Sequence, residues 1–468
     1  MKKLVLFLLV LFISCNNSIT GNDVFEDLHE LIETENVQNN TLIVEQVDLF
    51  VQPKIIKKIC GNDVCEISEN EYSCEQDCLI GPKRENVENC VIPPKNPRAW
   101  EVYEDTILCA GTHSFPYGVE IRGGLIFDCN NAVLKSPLLK YLSVLSDNVI
   151  IKNCNFDTLM IDVGGTFNPR KNNYRQLSNI QIVNNKFNIE TPISGYEITL
   201  FTSNALIKNN DFLDKSGISL KNSEQTTIVN NKLDFVEVLS SNNNRISNNF
   251  LRSFLVLDNS KKNNVYSNKI VNTNFSGSIT LMNSHNNFIT NNNIGDSKVY
   301  SFNIDCDNIL EGMGIPLLPL SLLGGSNNII NGNILRGSQA SCGFYLDQTK
   351  SNKFANNMVE YFDQGIYLSG FFKAENSGNE FINNSVKNNK IGIKLKDFVK
   401  INVFKNNFFI NNQKQIFYNT SLTNQFSNNF FDDFNKSGPY FIHTTIPSYE
   451  TGWVPIIIQD ETPSIVET

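Results

Sequence analysis

Aromatic and charged residues occupy matching places in short segments of the second half of the chain. They are Tyr345, Tyr367, Asp305, Asp347, Lys394 and Lys396. Aromatic faces stack on sugar rings, and carboxylates accept hydrogen bonds from sugar hydroxyls. If the segments lie side by side, these residues form one exposed face, and the predicted ligand is a polysaccharide or glycan.

Asp305 and Asp347 also permit a catalytic interpretation. Two carboxylates about 6.5–9.5 Å apart act as acid and base in inverting glycoside hydrolysis. The alternative is turn chemistry, because an aspartate after a strand commonly caps a turn. The two residues are therefore weak catalytic candidates, and glycan binding is the preferred prediction.

The overall charge restricts the choice of partner. The formal net charge is −9 and the isoelectric point is about 5.2. A nucleic-acid binder needs a basic face that displaces counterions from phosphate. Nucleic acid is therefore not an expected partner. The sequence also lacks G-x-S-x-G and Walker motifs.

The N-terminus has the pattern of an export signal. Lys2 and Lys3 precede the apolar run from Leu4 to Ile13, which is too short to span a bilayer. Residues 12–15 resemble the lipobox of bacterial lipoproteins, with Phe12 where leucine is usual. That resemblance implies lipidation of Cys15 and membrane attachment, and the alternative is an ordinary cleaved signal. Residues 1–15 are assigned to the signal and residues 16–57 to a tether with a short helix.

A small cysteine-rich module is predicted at residues 58–80. So short a segment cannot bury a core and needs cross-links or a metal. Its cysteines are Cys60, Cys65, Cys74 and Cys78, and its candidate calcium ligands are Asp63, Glu66, Glu69 and Asp77. The string resembles a cysteine-rich repeat of secreted microbial proteins, with Asp63 in place of a glycine. Two disulfides are preferred over zinc, and calcium or a solvated acidic surface both remain open.

Six further cysteines follow the module: Cys90, Cys109, Cys129, Cys154, Cys306 and Cys342. An even number in an exported chain favours disulfides. Cys129 and Cys154 are one repeat apart, so they stack or bond. Cys90 and Cys109 bracket the expected N-terminal cap.

A repeat of the form apolar, variable, Asn, Asn, variable, apolar dominates the chain. Its twelve copies begin at Ile151, Ile182, Ile207, Ile228, Ile246, Val265, Ile289, Ile329, Phe354, Phe381, Val403 and Phe426. The copies recur with a period near 20–25 residues, and a period of this length indicates a solenoid. Segments such as Gly217–Leu220 precede each copy and alternate apolar with variable residues, as half-buried strands do. We therefore predict an all-β, right-handed parallel β-helix solenoid of about 12 coils.

This repeat pattern resembles the right-handed β-helix superfamily of pectate lyase-like and NosD-like surface proteins. The resemblance covers most of residues 88–440, which are assigned to the β-helix with its N-terminal cap, and residues 441–468 are assigned to a C-terminal tail or cap. The catalytic strings of polygalacturonases and the D-P-H-E string of alginate epimerases are absent. The long gap between the copies at Ile289 and Ile329 holds the apolar segment Gly314–Leu323, interpreted as a packed flanking loop or a contact patch.

Counting back eight residues from the first residue of a copy assigns inward positions to Leu220, Val238, Leu257, Leu281, Leu346, Leu395 and Tyr418. Tyr345, Tyr367 and Lys394 then lie just before an inward residue, and Asp347 and Lys396 just after one. Asp305 joins them if the long insertion is absorbed locally. The preferred hypothesis is an extracytoplasmic, surface-tethered glycan-binding protein. One alternative is a polysaccharide lyase, glycoside hydrolase or epimerase that acts on an acidic polysaccharide. The other is a structural or adhesion protein of the cell envelope.

Overall fold

The structure is a computed structural model that describes part of the chain. The described ranges are 89–94, 98–137, 140–164, 176–188, 196–213, 216–271, 278–295, 320–337, 342–370, 375–396, 399–419, 423–433, 440–448 and 452–460. The chain divides into two compact units, Met1–Glu85 and Asn86–Thr468. Cys15, the tether and the cysteine-rich module with its calcium candidates lie outside the described residues.

The described residues form short β-strands. The first are β1 (Trp100–Val102), β2 (Thr106–Ile107), β3 (Thr112–Ser114), β4 (Val119–Ile121), β5 (Ile126–Asp128), β6 (Val133–Lys135), β7 (Tyr141–Val144), β8 (Ile150–Lys152), β9 (Asn155–Phe156), β10 (Met160–Val163), β11 (Leu177–Ser178), β12 (Gln181–Val183), β13 (Lys186–Phe187), β14 (Tyr196–Leu200), β15 (Thr202–Ser203) and β16 (Leu206–Lys208).

The middle strands are β17 (Asp211–Phe212), β18 (Gly217–Lys221), β19 (Thr227–Val229), β20 (Lys232–Leu239), β21 (Arg245–Ser247), β22 (Phe250–Asp258), β23 (Asn264–Tyr266), β24 (Lys269–Ile270), β25 (Ser278–Met282), β26 (Phe288–Thr290), β27 (Asn293–Ile294), β28 (Leu320–Leu323), β29 (Ile329–Asn331), β30 (Ile334–Arg336) and β31 (Cys342–Asp347).

The last strands are β32 (Lys353–Ala355), β33 (Met358–Glu360), β34 (Gln364–Ser369), β35 (Asn376–Ser377), β36 (Glu380–Ile382), β37 (Ser385–Lys387), β38 (Ile391–Lys396), β39 (Val399–Lys400), β40 (Val403–Lys405), β41 (Phe408–Ile410), β42 (Lys414–Asn419), β43 (Gln425–Ser427), β44 (Phe430–Phe431), β45 (Tyr440–Ser448) and β46 (Gly452–Asp460).

These strands wind into a right-handed parallel β-helix, as the repeat predicted. Face 1 is the 14-stranded parallel sheet from β2 to β43. A 26-stranded sheet forms the other two sides, because β20 and β22 run through both. Face 2 is the ladder from β3 to β44, and face 3 is the ladder from β1 to β42. Face 1 begins two strands before the first predicted repeat copy.

Paired asparagines make the turn between face 1 and face 2. The first asparagine of each pair is left-handed, as at Asn184 (φ 56°) and Asn209 (φ 55°), a conformation that asparagine tolerates. The second is buried, and its Nδ2 donates to Oδ1 of the equivalent residue in the next coil, as from Asn249 to Asn268 at 3.0 Å. The repeat is therefore a turn followed by a rung of an internal amide ladder.

One repeat copy lies one residue away from its predicted position. Ile289 pairs with Ile330 and Ile294 with Leu335, so the eighth copy begins at Ile330 rather than Ile329. Gly332 takes the left-handed place of the first asparagine (φ 66°). The prediction was wrong here because the neighbouring isoleucines fit the letter pattern in either register.

The interior is a continuous stack of apolar side chains. Phe354, Phe381 and Phe404 are fully buried, and their ring centres are 4.6 and 4.8 Å apart. Equivalent positions in successive coils lie only about 4.8 Å apart. The parallel register therefore brings flat rings into face-to-face contact.

Disulfides connect neighbouring coils at the N-terminal end of the solenoid. Cys129 bonds Cys154, which is one of the two alternatives given for this pair, and Cys90 bonds Cys109, a pairing that the sequence left open. Cys342 is also disulfide-bonded, while Cys306 lies outside the described residues. The described part of the chain has no helix long and apolar enough to cross a membrane.

Candidate functional site

Face 3 brings together most of the residues predicted to bind ligand. Tyr345 pairs with Tyr367, and Tyr367 with Lys394, so these three side chains follow one another in adjacent coils. The inward column is also as predicted, since Leu220, Val238, Leu257, Leu281, Leu346 and Leu395 are fully buried in the core. The strand alternation was therefore predicted correctly in this region.

Asp305 does not occupy the predicted place beside Asp347. Strand β28 fills that coil, and Leu323 pairs with Asp347. Leu320 and Leu322 supply the inward residues that the coil needs, so part of the apolar segment assigned to a loop is a core strand. Asp305 lies outside the described residues. The proposed carboxylate pair is therefore not formed at these two column positions, and the acid–base hypothesis loses its geometric basis there.

The predicted exposed face is buried in its C-terminal half. Tyr345 and Tyr367 are 1% and 2% exposed, and Asp347 and Lys394 are 4% and 9% exposed. Lys396 is half-buried. Tyr345 and Tyr367 join Cys342 in a small hydrophobic cluster separate from the core. Strand alternation predicts which side of the sheet a residue occupies, but not what packs on that side.

Aromatic rings and a lysine stack within this buried column. The ring centres of Tyr345 and Tyr367 are 5.5 Å apart. Lys394 Nζ lies 5.6 Å from the Tyr367 ring and 5.5 Å from the Phe417 ring, which suits a cation–π contact. Burial, with a smaller contribution from Asp347, raises the pKa of Tyr345, so this phenol stays protonated. The arrangement is that of an internal packing stack rather than an open ligand platform.

The N-terminal end of face 3 is open and carries a column of polar residues. Glu101 pairs with Glu120, Glu120 with Ser143, and Ser143 with Asp162. Their inward neighbours Val102, Ile121 and Val144 are buried. The column therefore points away from the core. We refer to Glu101, Glu120, Ser143 and Asp162 as the carboxylate column.

Exposed tyrosines flank the carboxylate column. Tyr103, Tyr117 and Tyr141 are 62%, 52% and 45% exposed. Tyr103 follows β1 on one side of the column, and Tyr141 begins β7 on the other. Tyr117 lies in the turn before β4. Together with the carboxylate column and Arg122, these three residues form what we call the tyrosine face.

Hydrogen bonds and ion pairs hold the tyrosine face in place. The Tyr103 hydroxyl donates to Glu101 Oε2 at 2.6 Å, and this hydrogen bond raises the pKa of Tyr103. Arg122 Nε lies 3.2 Å from Glu101 Oε1 and donates to Glu120 Oε2 at 3.0 Å. Burial raises the pKa of the Asp162 carboxyl, and Lys221 opposes that shift. When its carboxyls are ionised, the face is negative despite its arginine.

Sequence reasoning missed the tyrosine face. Counting eight residues back from Ile151 gives Ser143, which points outward here, because the turns of the first coils differ in length. A usable signal was present, since Trp100–Tyr103 and Val119–Arg122 both alternate apolar with polar residues. No group of three or more His, Cys, Asp or Glu residues suited to a metal ion occurs in the described ranges.

Comparisons with known proteins concern the fold. A family described as "Right handed beta helix region" matches residues 316–431. The periplasmic alginate epimerase AlgG is 13% identical, with 63% of this chain and 77% of that chain covered and a TM-score of 0.41. An exopolygalacturonase from Thermotoga maritima is 9% identical, with 76% and 87% covered and a TM-score of 0.30.

A third solved structure is PfbA, a surface adhesin of Streptococcus pneumoniae. It is 14% identical, with 75% of this chain and 86% of that chain covered and a TM-score of 0.27. No curated protein matches the sequence. The chain is a right-handed parallel β-helix protein, and this fold by itself does not assign a function. Its disulfides are typical of proteins that fold outside the cytosol.

Proposed function

We propose that this is an exported protein that binds a polysaccharide on its tyrosine face without turning it over. The observation that carries the proposal is the exposure of Tyr103, Tyr117 and Tyr141 beside the carboxylate column in consecutive coils. Aromatic rings supply apolar contact area, and their neighbours supply hydrogen-bond acceptors. This combination suits a ligand that has both apolar faces and hydroxyl edges.

The arrangement extends over several coils and favours a chain over a single sugar. Tyr103 and Tyr141 belong to coils that are two steps apart, or roughly 10 Å along the solenoid axis. They also lie on opposite sides of the carboxylate column. A ligand that contacts both rings must cross the column, and its hydroxyl groups would then meet Glu101 and Glu120.

The charge of the tyrosine face favours a neutral or amino-bearing glycan. Glu101, Glu120 and Asp162 outnumber Arg122, whose guanidinium already pairs with both glutamates. An acidic polysaccharide would meet like charge and no uncommitted cation among these residues. We therefore infer that pectin-like or alginate-like polymers bind poorly.

Display at the cell surface completes the proposal. Export through residues 1–15, lipidation of Cys15 and a tether over residues 16–57 would hold the β-helix away from a membrane. Disulfides or calcium bound by Asp63, Glu66, Glu69 and Asp77 would stabilise the cysteine-rich module. These assignments rest on sequence patterns alone.

Affinity electrophoresis in gels that contain hydroxyethyl cellulose, chitosan or alginate tests the binding. We expect retardation by a neutral or amino polymer and none by alginate. Tyr103→Ala and Tyr141→Ala should each raise the dissociation constant roughly 2- to 10-fold, which corresponds to losing about 0.5–1.5 kcal/mol of ring contact. Tyr361→Ala is the matched control, because Tyr361 is a comparably exposed tyrosine (42%) far along the chain in a turn after face 2.

Three results would contradict the proposal. Equal loss of binding in the Tyr361→Ala control would show that the tyrosine face is not the binding site. No retardation by any polymer would favour a structural or adhesion role without a sugar ligand. Release of reducing ends or unsaturated uronates by the parent chain would show that it is an enzyme.

A further inference from the structure

The amide ladder inside the solenoid has a direction. Its members are Asn185, Asn210, Asn231, Asn249, Asn268, Asn292, Asn333, Asn357, Asn384, Asn407 and Asn429. Each backbone N–H and each Nδ2 donates to Oδ1 of the following member. The last asparagine, Asn429, therefore needs an acceptor that no further coil of the repeat supplies.

Asp460 supplies that acceptor. Its Oδ2 accepts a hydrogen bond from Asn429 N at 3.0 Å and another from Asn429 Nδ2 at 2.9 Å. Asp460 is fully buried. An ionised carboxylate accepts hydrogen bonds and, unlike an amide, has no N–H group that would need an acceptor in a further coil. It is therefore chemically suited to end a chain of donors.

Asp460 reaches this position because it ends a hairpin. Strands β45 and β46 pair antiparallel, unlike all the other strand pairs among the described residues. β45 lies against β42, and β46 lies against β43. Phe426 and Phe431, at the end of the aromatic stacks, are only 5% and 1% exposed.

We propose that the hairpin β45–β46 is a terminal cap that Asp460 holds in place and that keeps this end of the solenoid from pairing with a second copy of the chain. An open parallel sheet end presents unpaired backbone groups and apolar rings, which promote edge-to-edge association. A hairpin that lies against β42 and β43 would cover both. This inference is independent of the ligand assigned to the tyrosine face.

Two variants of the full chain test the cap. Asp460→Asn keeps an oxygen acceptor for Asn429 and should remain monomeric in sedimentation velocity, with an unfolding temperature close to that of the parent. Asp460→Ala removes the acceptor and should unfold several degrees lower and associate as its concentration rises. Parent-like behaviour of Asp460→Ala in both measurements would overturn the proposal, as would equal association of Asp460→Asn and Asp460→Ala.

A second comparison applies if Asp460→Ala does not fold. Asn429→Asp alone keeps the acceptor that Asn407 uses but places two buried carboxylates in contact, which is costly. The double variant Asn429→Asp/Asp460→Asn restores one amide and one carboxylate, and the amide oxygen at position 460 still accepts from the backbone N–H of residue 429. We expect the double variant to yield more soluble protein than Asn429→Asp alone. Equal or poorer recovery would show that Asp460 does not act through Asn429.

Discussion

At the scale of residues, asparagine has two separate roles in this protein. The first member of each pair, such as Asn248 (φ 55°), adopts the left-handed turn conformation. The second, such as Asn249, is buried and joins three coils by hydrogen bonds. An asparagine-rich sequence can therefore hold a tightly packed solenoid, since its amides are satisfied internally.

Removing one buried asparagine side chain from the amide ladder should destabilise the folded protein. Asn249→Ala leaves the N–H groups of Asn231 without their acceptor, and we expect it to lower the free energy of unfolding by about 1–3 kcal/mol. The exposed Asn264→Ala on face 1 is the control and should change it by less than about 0.5 kcal/mol. Urea unfolding followed by circular dichroism measures the free energy of unfolding of both variants. Similar losses in the two would contradict a contribution of the amide ladder to stability.

Asp162 should make stability depend on pH. Burial raises its pKa above the usual value near 3.8, so the folded chain holds this proton more tightly than the unfolded chain. That contribution is fully present below the unfolded pKa and is lost as the pH rises through the folded pKa. We expect Asp162→Asn to unfold at a higher temperature than the parent at pH 7, with the difference disappearing below about pH 4.

Thermal scans from pH 3 to pH 8 measure this difference. Glu380→Gln, which neutralises an exposed carboxylate on face 1, controls for the change in net charge. A difference that does not vary with pH would show that Asp162 ionisation is not its cause.

At the scale of elements, the turns between strands set the register of the coils. Gly325 and Gly378 both have positive φ, of 85° and 66°. A methyl group at Gly325 would lie 2.2 Å from the Ser284 carbonyl oxygen, whereas one at Gly378 would lie no nearer than 3.5 Å, from Ser351 Oγ. The corner between face 3 and face 1 is therefore tight against the preceding coil at Gly325 and loose at Gly378, which lies at a different position of that corner.

This contrast predicts unequal effects of the same substitution. Gly378→Ala should cost about 1–2 kcal/mol, from the left-handed backbone alone. Gly325→Ala should cost at least twice as much, because the backbone of one coil must move. Chemical denaturation of the two variants provides the measurement, and equal losses would show that the coils separate easily.

Much of the element order could be predicted from sequence, whereas the ligand face could not. The inward column from Leu220 to Leu395 follows from local alternation and a constant turn length. Asp305 was misplaced because a long insertion gives no local indication of which residues re-enter the sheet. Leu320 and Leu322 of the segment Leu320–Leu323 fill the core of that coil instead. Tyr345 and Tyr367 were placed in the correct coils, but their burial depends on what covers face 3.

At the scale of the whole molecule, the described β-helix is a stack in which each coil contacts its neighbours. The Cys129–Cys154 disulfide joins two such neighbours. Because stability in a solenoid is close to a sum of local and nearest-neighbour terms, a lost cross-link should act mainly on nearby coils.

Hydrogen exchange tests this locality. In a Cys129→Ala/Cys154→Ala variant, loss of the cross-link should cost about 3 kcal/mol. Amide exchange should accelerate within residues 98–164 and remain at the parent rate within residues 342–431. A uniform acceleration along the chain would indicate that the solenoid opens as a single cooperative unit.

The sequence by itself determined the solenoid and its inward column, because alternation and repeat spacing are properties of neighbouring residues. Only the tertiary structure decided that Leu323 takes the place assigned to Asp305, that Tyr345 and Tyr367 are buried, and that Tyr103 and Tyr141 remain exposed. It also decided that Asp460 ends the amide ladder at Asn429. These outcomes depend on which distant segments pack against a given coil, and the local pattern of residues does not encode that.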